Sequence, residues 1–183
     1  TVTNPLDIMT HLVFKLTGFP KEKVMGMAGV LDSARMRYFI SEKTGCRPHE
    51  VSAMVLGGHG DLMVPVMSQV RMKNKPLGGL SAEEARAIIR RTQEGGAEIV
   101  SLLKTGSAFY APASSVVEMV SAILQDKREV LPVCAYCTGE YGIQDATCGV
   151  PARLGQKGIL EIVEIPLSDE EKNALLRSAQ TVR

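Results

Sequence analysis

Val51-Ser52-Ala53-Met54-Val55-Leu56-Gly57-Gly58-His59-Gly60-Asp61 joins an apolar run to a glycine-rich segment that contains one histidine. The apolar run predicts a strand that enters the loop 57–61. Glycine permits positive φ and lets a ligand approach the main chain, while histidine changes charge near neutral pH. His59 is therefore a candidate for general acid–base chemistry. Taken alone, the stretch is also compatible with a glycine-rich turn that holds an incidental histidine.

A charged pair lies upstream of this stretch, in Gly29-Val30-Leu31-Asp32-Ser33-Ala34-Arg35. On a helix, Asp32 and Arg35 are three residues apart and share one face. For the pair alone, the favoured interpretation is a surface ion pair that contributes little to stability. The alternative gives the two residues separate tasks. The planar guanidinium of Arg35 suits a substrate carboxylate, and Asp32 suits the N–H group of a histidine ring.

A third polar motif, Asn4-Pro5-Leu6-Asp7, stands near the start of the chain. Pro5 suits the first position of a helix that Asn4 caps. Asn4 also offers both a donor and an acceptor. Asp7 is interpreted as a first-turn acid that the helix dipole favours. The motif alone therefore predicts a helix start and no further function.

The remaining pattern predicts one α+β domain over residues 1–183. Apolar spacing, capping boxes and helix-stopping residues predict helices over 5–16, 32–43, 81–104 and 113–124, and one from 168 onward. Apolar runs bounded by turns predict strands over 24–27, 51–56, 63–72, 130–136, 147–154 and 159–165. The last two strands are joined by a hairpin at 155–158. We expect a mixed or antiparallel sheet packed with long helices, with Gly95-Gly96 marking a bend in one of them.

Composition narrows the class of protein. The formal net charge is +1 and 45% of the residues are hydrophobic, so nothing points to nucleic acid or to an anionic membrane surface. No apolar run is long enough to cross a bilayer. The four cysteines include one C-x-x-C and no second pair, which favours structural thiols over a metal site or disulfides. We therefore expect no metal, and reduced cysteines suit a cytoplasmic location.

The three polar motifs together resemble the signatures of the malate and lactate dehydrogenase family, in that family's order and at about its spacing. Each motif alone is weak evidence for the family, whereas five motifs in the family's order are strong evidence. The matching segments are 2–7, 31–35, 57–61, Thr105-Gly106-Ser107-Ala108-Phe109-Tyr110-Ala111-Pro112-Ala113 and Gly149-Val150-Pro151. The resemblance covers essentially the whole chain, and it implies the C-terminal catalytic domain of that fold.

The resemblance implies a role for each residue that matches a family motif. His59 would exchange the hydroxyl proton of a 2-hydroxy acid, and Asp32 would hold the imidazole and stabilise its charged form. Arg35 would bind the substrate carboxylate. Asn4 would hydrogen-bond the substrate oxygen beside the nicotinamide of NAD, the implied cofactor.

Further residues take supporting roles under the same resemblance. Val2 and Thr3 would line the cofactor through backbone contacts. Ser107 and Ala108 would shape the side-chain end of the substrate pocket, where small residues leave room for a second carboxylate. This likeness to the lactate-dehydrogenase-like malate dehydrogenases of bacteria favours (S)-malate, oxidised to oxaloacetate, as the substrate.

Three alternatives remain open at this stage. The chain could belong to an L-lactate dehydrogenase or to another 2-hydroxy-acid dehydrogenase. It could also be an inactive fragment that acts only in subunit assembly, because long helices such as 81–104 often pack between subunits. A hydrolase built on His59 and Asp32 is remote, since the adjacent Ser33 lies on no nucleophile elbow.

The chain departs from the family in one respect, because it contains no G-x-G-x-x-G phosphate loop. The family places that loop in a Rossmann domain ahead of the segment present in this sequence. We therefore expect residues 1–6 to be the end of that nucleotide-binding domain and the rest of it to be absent. The implied partners are this N-terminal half and further copies of the enzyme, as a homodimer or homotetramer. The chain alone is expected to turn over nothing.

Overall fold

The computed structural model describes residues 1–182 as an α+β fold with antiparallel sheets, as predicted. The helices are Leu6–Thr17 (α1), Gly29–Thr44 (α2), Ala82–Leu103 (α3), Tyr110–Leu124 (α4) and Asp169–Gln180 (α5). The strands are Val51–Ser52 (β1), Val55–Gly57 (β2), Met63–Pro65 (β3), Arg71–Met72 (β4), Lys75–Pro76 (β5), Glu129–Thr138 (β6), Gln144–Gly155 (β7) and Gly158–Ile162 (β8).

The largest sheet has the order β6-β7-β8 and is antiparallel throughout. β6 and β7 pair along almost their whole length, from Glu129 opposite Leu154 to Thr138 opposite Gln144. Helices α1, α2, α4 and α5 all pack against β6 or β7. The two strands are therefore buried along most of their length, and β6 is apolar without alternation from Val130 to Cys137.

The β2–β3 hairpin carries the glycine-rich loop. It packs on α2, α5 and the middle of β7. Gly57 at the end of β2 has φ 79°, and its carbonyl group lies directly on β7 at Gly149. A Cβ atom added to Gly149 would lie 2.3 Å from that carbonyl oxygen, well inside van der Waals contact. The loop that bears His59 is thus built on a direct approach of two main chains.

The predicted helix ends are largely confirmed. Ser81 and Ser168 each accept a hydrogen bond from the backbone N–H three residues on, in complete capping boxes. α2 ends at Gly45, which has the left-handed φ of 74° that a C-terminal glycine supplies. The cap assigned to Asn4 is wrong: Pro5 occupies the N-cap position with an extended backbone, and no side chain caps α1.

The shorter strands differ from the predicted ones. The expected strand 63–72 is divided into β3 and β4 by a 3₁₀ turn, because the chain leaves its partner β2 to pair with β1. The expected strand 51–56 is divided at residues 53–54, because β1 pairs with β4 and β2 pairs with β3. The expected strand 24–27 is reduced to Gly26, which exchanges two backbone hydrogen bonds of 2.9 Å with Cys134 before α2 begins.

We expect Gly149→Ala to lower the free energy of unfolding by about 3 kcal/mol, because the new methyl group must force β2 and β7 apart. Urea denaturation followed by circular dichroism measures the effect. Gly78→Ala is the matched control, since a Cβ atom there meets nothing within 4 Å. Equal denaturation midpoints for the two variants would contradict the close approach of Gly57 and Gly149.

Candidate active site

A single buried carboxylate joins the residues that the sequence singled out. Asp32 lies in the first turn of α2, and its side chain is only 2% exposed. Its Oδ2 atom is 2.7 Å from Nδ1 of His59, and its Oδ1 atom is 3.3 Å from Nη1 of Arg35. The structure therefore brings together three of the side chains that the motifs singled out, and their functional roles stay predictions.

The ring of His59 has a defined orientation. A carboxylate only accepts hydrogen bonds, so Nδ1 carries the hydrogen that Asp32 receives. The Nε2 atom is then left to exchange a proton with a ligand. The side chain is 16% exposed, which leaves an edge of the imidazole accessible from the cavity beside it.

The electrostatic surroundings raise the pKa of His59. Burial is the largest single influence and disfavours the charged ring, but the hydrogen bond and negative charge of Asp32 together outweigh it. The positive charge of Arg35 also lowers the pKa of His59, whereas the negative charge of Asp7 also raises it. The imidazolium form is therefore more stable at neutral pH than it is for a histidine in water.

The side chain of Arg35 extends from α2 to α3. Asp32 binds its guanidinium from α2, and Gly95 of α3 lies against its side chain, where an added Cβ would be 3.2 Å from Cδ. α3 runs without interruption through Gly95 and Gly96, and the bend expected there stays a prediction. Gly95 marks the place where α3 approaches Arg35. The Nε atom of Arg35 is buried and has no hydrogen-bond partner among residues 1–182.

Two side chains that the sequence did not point to hold the loop of His59. The N–H of His59 donates to Oδ2 of Asp7 over 2.7 Å, and the N–H of Gly58 donates to Oγ of Ser178 over 2.7 Å. Asp7 is in the first turn of α1, as predicted, but it is buried rather than solvated. Asp7 shares the buried face of α1 with Leu6 and Thr10, and the polar character of Asp7 and Thr10 gave no sign of this burial in the sequence.

A cavity of about 300 Å³ opens beside His59 and includes Pro5 and Asp7 in its wall. Asn4 precedes this wall by one residue and is exposed, as are Val2 and Thr3. Within residues 1–182 no hydrogen bond engages the side chain of Thr3 or Asn4, which leaves both groups available to a ligand. Pro5 and Asp7 thus share a cavity wall with the histidine predicted from the motifs.

The other predicted site residues are not joined to this cluster. Ser107 is exposed and Ala108 half-buried in the segment between α3 and α4. Over the described part of the chain, no hydrogen bond or ion pair links either one to His59, Asp32 or Arg35. Their assignment to the substrate pocket stays a prediction. Ser33 is buried and its Oγ atom accepts a hydrogen bond from Val55 N, which removes the nucleophile of the hydrolase alternative.

The cysteines behave as packing residues. Cys134, Cys137 and Cys148 are buried without disulfide partners, and Cys46 is half-buried. Burial raises the pKa of Cys137 to about 12, so its thiol stays neutral. From residue 1 to residue 182, no group of three His, Cys, Asp or Glu side chains is arranged to hold a metal ion. None of the helices described is both long and apolar enough to span a bilayer.

Comparison with known proteins extends the resemblance. The family model for the lactate/malate dehydrogenase, alpha/beta C-terminal domain matches residues 29–183. A malate dehydrogenase of Nostoc punctiforme is 52% identical over 183 residues, and one of Thermomicrobium roseum is 53% identical. These matches cover 100% of the chain but 56% and 59% of the two relatives, so the chain spans little more than half their length.

Solved structures share the fold. A malate dehydrogenase from Cryptosporidium parvum has a TM-score of 0.96 and 44% identity, with 99% of this chain and 60% of that chain covered. A lactate dehydrogenase from the same organism, complexed with lactic acid and β-nicotinamide adenine dinucleotide, has a TM-score of 0.96 and 41% identity. That match covers 99% of this chain and 59% of the other.

The family match begins at residue 29, so α1 lies outside it and the domain boundary predicted at residue 6 stays a prediction. Relatives about half identical along the whole chain, and the matched folds, nevertheless include α1. On these grounds the chain belongs to the lactate/malate dehydrogenase family and carries its alpha/beta C-terminal domain.

Proposed function

We propose that this chain supplies the substrate-binding and proton-transfer part of an NAD-dependent malate dehydrogenase, which oxidises (S)-malate reversibly to oxaloacetate. The observation that carries the proposal is the Asp32 carboxylate, shared between the imidazole of His59 and the guanidinium of Arg35. This arrangement provides a proton acceptor and a carboxylate-binding cation on either side of one buried anion. Both are needed by an enzyme that acts on a 2-hydroxy acid.

The proposed steps follow from the atoms that remain available. During oxidation, neutral His59 accepts the hydroxyl proton of the substrate at Nε2, and the resulting imidazolium faces Asp32 through Nδ1. In the reverse direction, the imidazolium returns the proton to the carbonyl oxygen. Arg35 binds the substrate carboxylate, and Asn4 hydrogen-bonds the oxygen that gains or loses the proton. NAD, when bound, supplies the hydride acceptor.

The residues proposed for NAD fit one end of that cofactor. Val2, Thr3 and Asn4 are exposed and directly precede Pro5, which lines the cavity of His59. A nicotinamide ring must lie near that cavity to exchange hydride with the substrate. The phosphates need a glycine-rich loop that none of the 183 residues supplies. We therefore assign the phosphate site to an N-terminal nucleotide-binding half, corresponding to the part of the relatives that this chain does not match.

An exposed apolar surface supports contact with that half. Ile8, Leu12 and Leu16 recur on the outer face of α1 and are 49%, 45% and 75% exposed. An apolar groove also lies between Val13 of α1 and the helix α4. Exposed patches of this kind mark interfaces. We propose that the nucleotide-binding half covers this surface and that the complete enzyme is a homodimer or homotetramer.

Malate is the substrate that we favour over lactate. The Nostoc punctiforme and Thermomicrobium roseum relatives are both malate dehydrogenases, at 52% and 53% identity. Ser107 and Ala108 are small, which suits a substrate with a second carboxylate. Lactate dehydrogenase is the second candidate, because a lactate dehydrogenase that binds lactic acid shares the fold at 41% identity.

The first prediction from the proposed function concerns activity and substrate. We expect a fusion of this chain to the unmatched part of the Nostoc punctiforme relative to reduce oxaloacetate with a kcat/KM at least about tenfold above that for pyruvate. The 183-residue chain alone should give no detectable turnover. NADH absorbance measures both. A preference for pyruvate would favour the lactate alternative, and a folded, NADH-binding fusion inactive on both would favour a role in assembly alone.

The second prediction concerns pH. Reduction of oxaloacetate needs the imidazolium form, so a raised pKa of His59 extends the reaction to higher pH than an ordinary imidazole allows. In the fusion, Asp32→Asn should move this alkaline limb to lower pH and reduce kcat by about 10²–10⁴-fold. NADH affinity, measured by fluorescence, should be unchanged. A pH profile that does not move would remove Asp32 from its role beside His59.

The third prediction concerns Arg35. Gly95→Ala should raise the KM for oxaloacetate about tenfold, because the methyl group displaces the guanidinium and weakens a charge-assisted contact of roughly 1.4 kcal/mol or more. Gly96→Ala is the control, since its Cβ would be an ordinary 3.9 Å from Nη1 of Arg35. That variant should keep the KM and stabilise α3. An unchanged KM in Gly95→Ala would argue that Arg35 does not bind the substrate.

A further inference from the structure

We propose that Asp7 is a positioning residue for proton transfer: its carboxylate holds the main-chain N–H of His59 and so keeps the imidazole in register with Asp32. The catalytic consequence rests on the proposed function, whereas the positioning itself is a property of this chain alone. Two carboxylates then act on one histidine. Asp32 binds the ring at Nδ1, and Asp7 binds the backbone behind it.

The geometry places Asp7 on a rigid support. Its Oδ2 atom lies 2.7 Å from the nitrogen of His59, and the residue is 7% exposed. The carbonyl oxygen of Asp7 accepts a hydrogen bond of 2.7 Å from Oγ1 of Thr147 in β7. Leu6 beside it is 1% exposed. The main chain of Asp7, which carries the carboxylate, is thus held by Thr147 of the central sheet and by the packing of α1.

The chemistry of the contact indicates more than packing. Burial raises the pKa of Asp7, which means that the fold makes the charged form less favourable than it is in water. The hydrogen bond from His59 N acts in the opposite direction. An apolar residue at this position would avoid the desolvation altogether. The hydrogen bond from His59 N is the largest of the contacts that offset this burial, and the thiol of Cys134 is the next.

Asp7 is also close in sequence to a second part of the proposed site. Asn4, the residue proposed to bind the substrate oxygen, is three residues before Asp7 and precedes the first residue of α1. Because misplacement by about 1 Å can cost about 10²-fold in rate, an anchor of this kind affects turnover without contacting the substrate.

The first experiment uses the 183-residue chain itself. His11→Gln and His49→Gln leave His59 as the one imidazole, so NMR follows its titration and the hydrogen exchange of its amide. The groups that face it are Asp32 and Arg35 from α2 and Asp7 from α1. Asp7→Ala should speed exchange of the His59 amide at least about tenfold, with β6 amides unchanged. Asp7→Asn should keep the amide protected, because its side-chain oxygen still accepts, while the pKa of His59 falls.

Asp169→Ala is the matched control, since Asp169 is also a first-turn aspartate but is exposed. It should leave both the amide and the titration of His59 unchanged. Unaltered exchange in Asp7→Ala would overturn the proposal, as would equal loss of protection throughout the chain. If Asp7→Ala does not fold, Asp7→Glu replaces it, because a carboxylate displaced by one methylene should still loosen the His59 amide selectively.

The second experiment measures kinetics in the fusion to the Nostoc punctiforme relative. Asp7→Ala should lower kcat about 10²-fold while the KM for oxaloacetate changes less than about threefold. Asp7→Asn should recover most of kcat. A matching rise in KM, or no recovery in Asp7→Asn, would contradict a positioning role. An inactive unmodified fusion would count against the proposed function, and amide exchange in the separate chain would still decide the role of Asp7.

Discussion

The buried carboxylate of Asp32 is the interaction on which the candidate site depends. A carboxylate taken out of water costs several kcal/mol unless its oxygens are paired, so the fold stabilises this one only if both His59 and Arg35 face it. The pairing is therefore part of the folded state. Ser33 strengthens the arrangement, because its hydroxyl binds the backbone of β2 and fixes α2 relative to the strand that leads to His59.

The central sheet supports the elements that carry the site residues and contributes none of those residues itself. β6 and β7 contain none of the three clustered residues, yet α1, α2 and the β2–β3 hairpin are all packed on these strands. The loop of His59 is consequently held by the main chain of β7, which contacts Gly57, and by Asp7 and Ser178, which accept hydrogen bonds from the loop. A scaffold of this kind keeps the imidazole in place while leaving one nitrogen free, which is what proton transfer requires.

Local patterns predicted much of the fold and the centre of the site. The capping boxes at Ser81 and Ser168 and the spacing of Asp32 from Arg35 involve neighbours in the chain, so the sequence exposes them directly. The contacts of Asp7 with His59 and of Gly95 with Arg35 join residues far apart in sequence, and no periodicity encodes them. The prediction of one strand over 63–72 was wrong for a related reason, because tertiary structure decides where a segment changes its pairing partner.

The two anchors of the His59 loop have a consequence for biosynthesis. Asp7 is 52 residues before His59, and Ser178 is 120 residues after Gly58. Closing such long loops is slow compared with forming local helices. A nascent chain on the ribosome therefore acquires its central hairpin well before the last helix is available to bind it. The geometry needed for proton transfer is completed only once α5 has emerged and docked, so a half-made polypeptide carries the histidine without its final alignment.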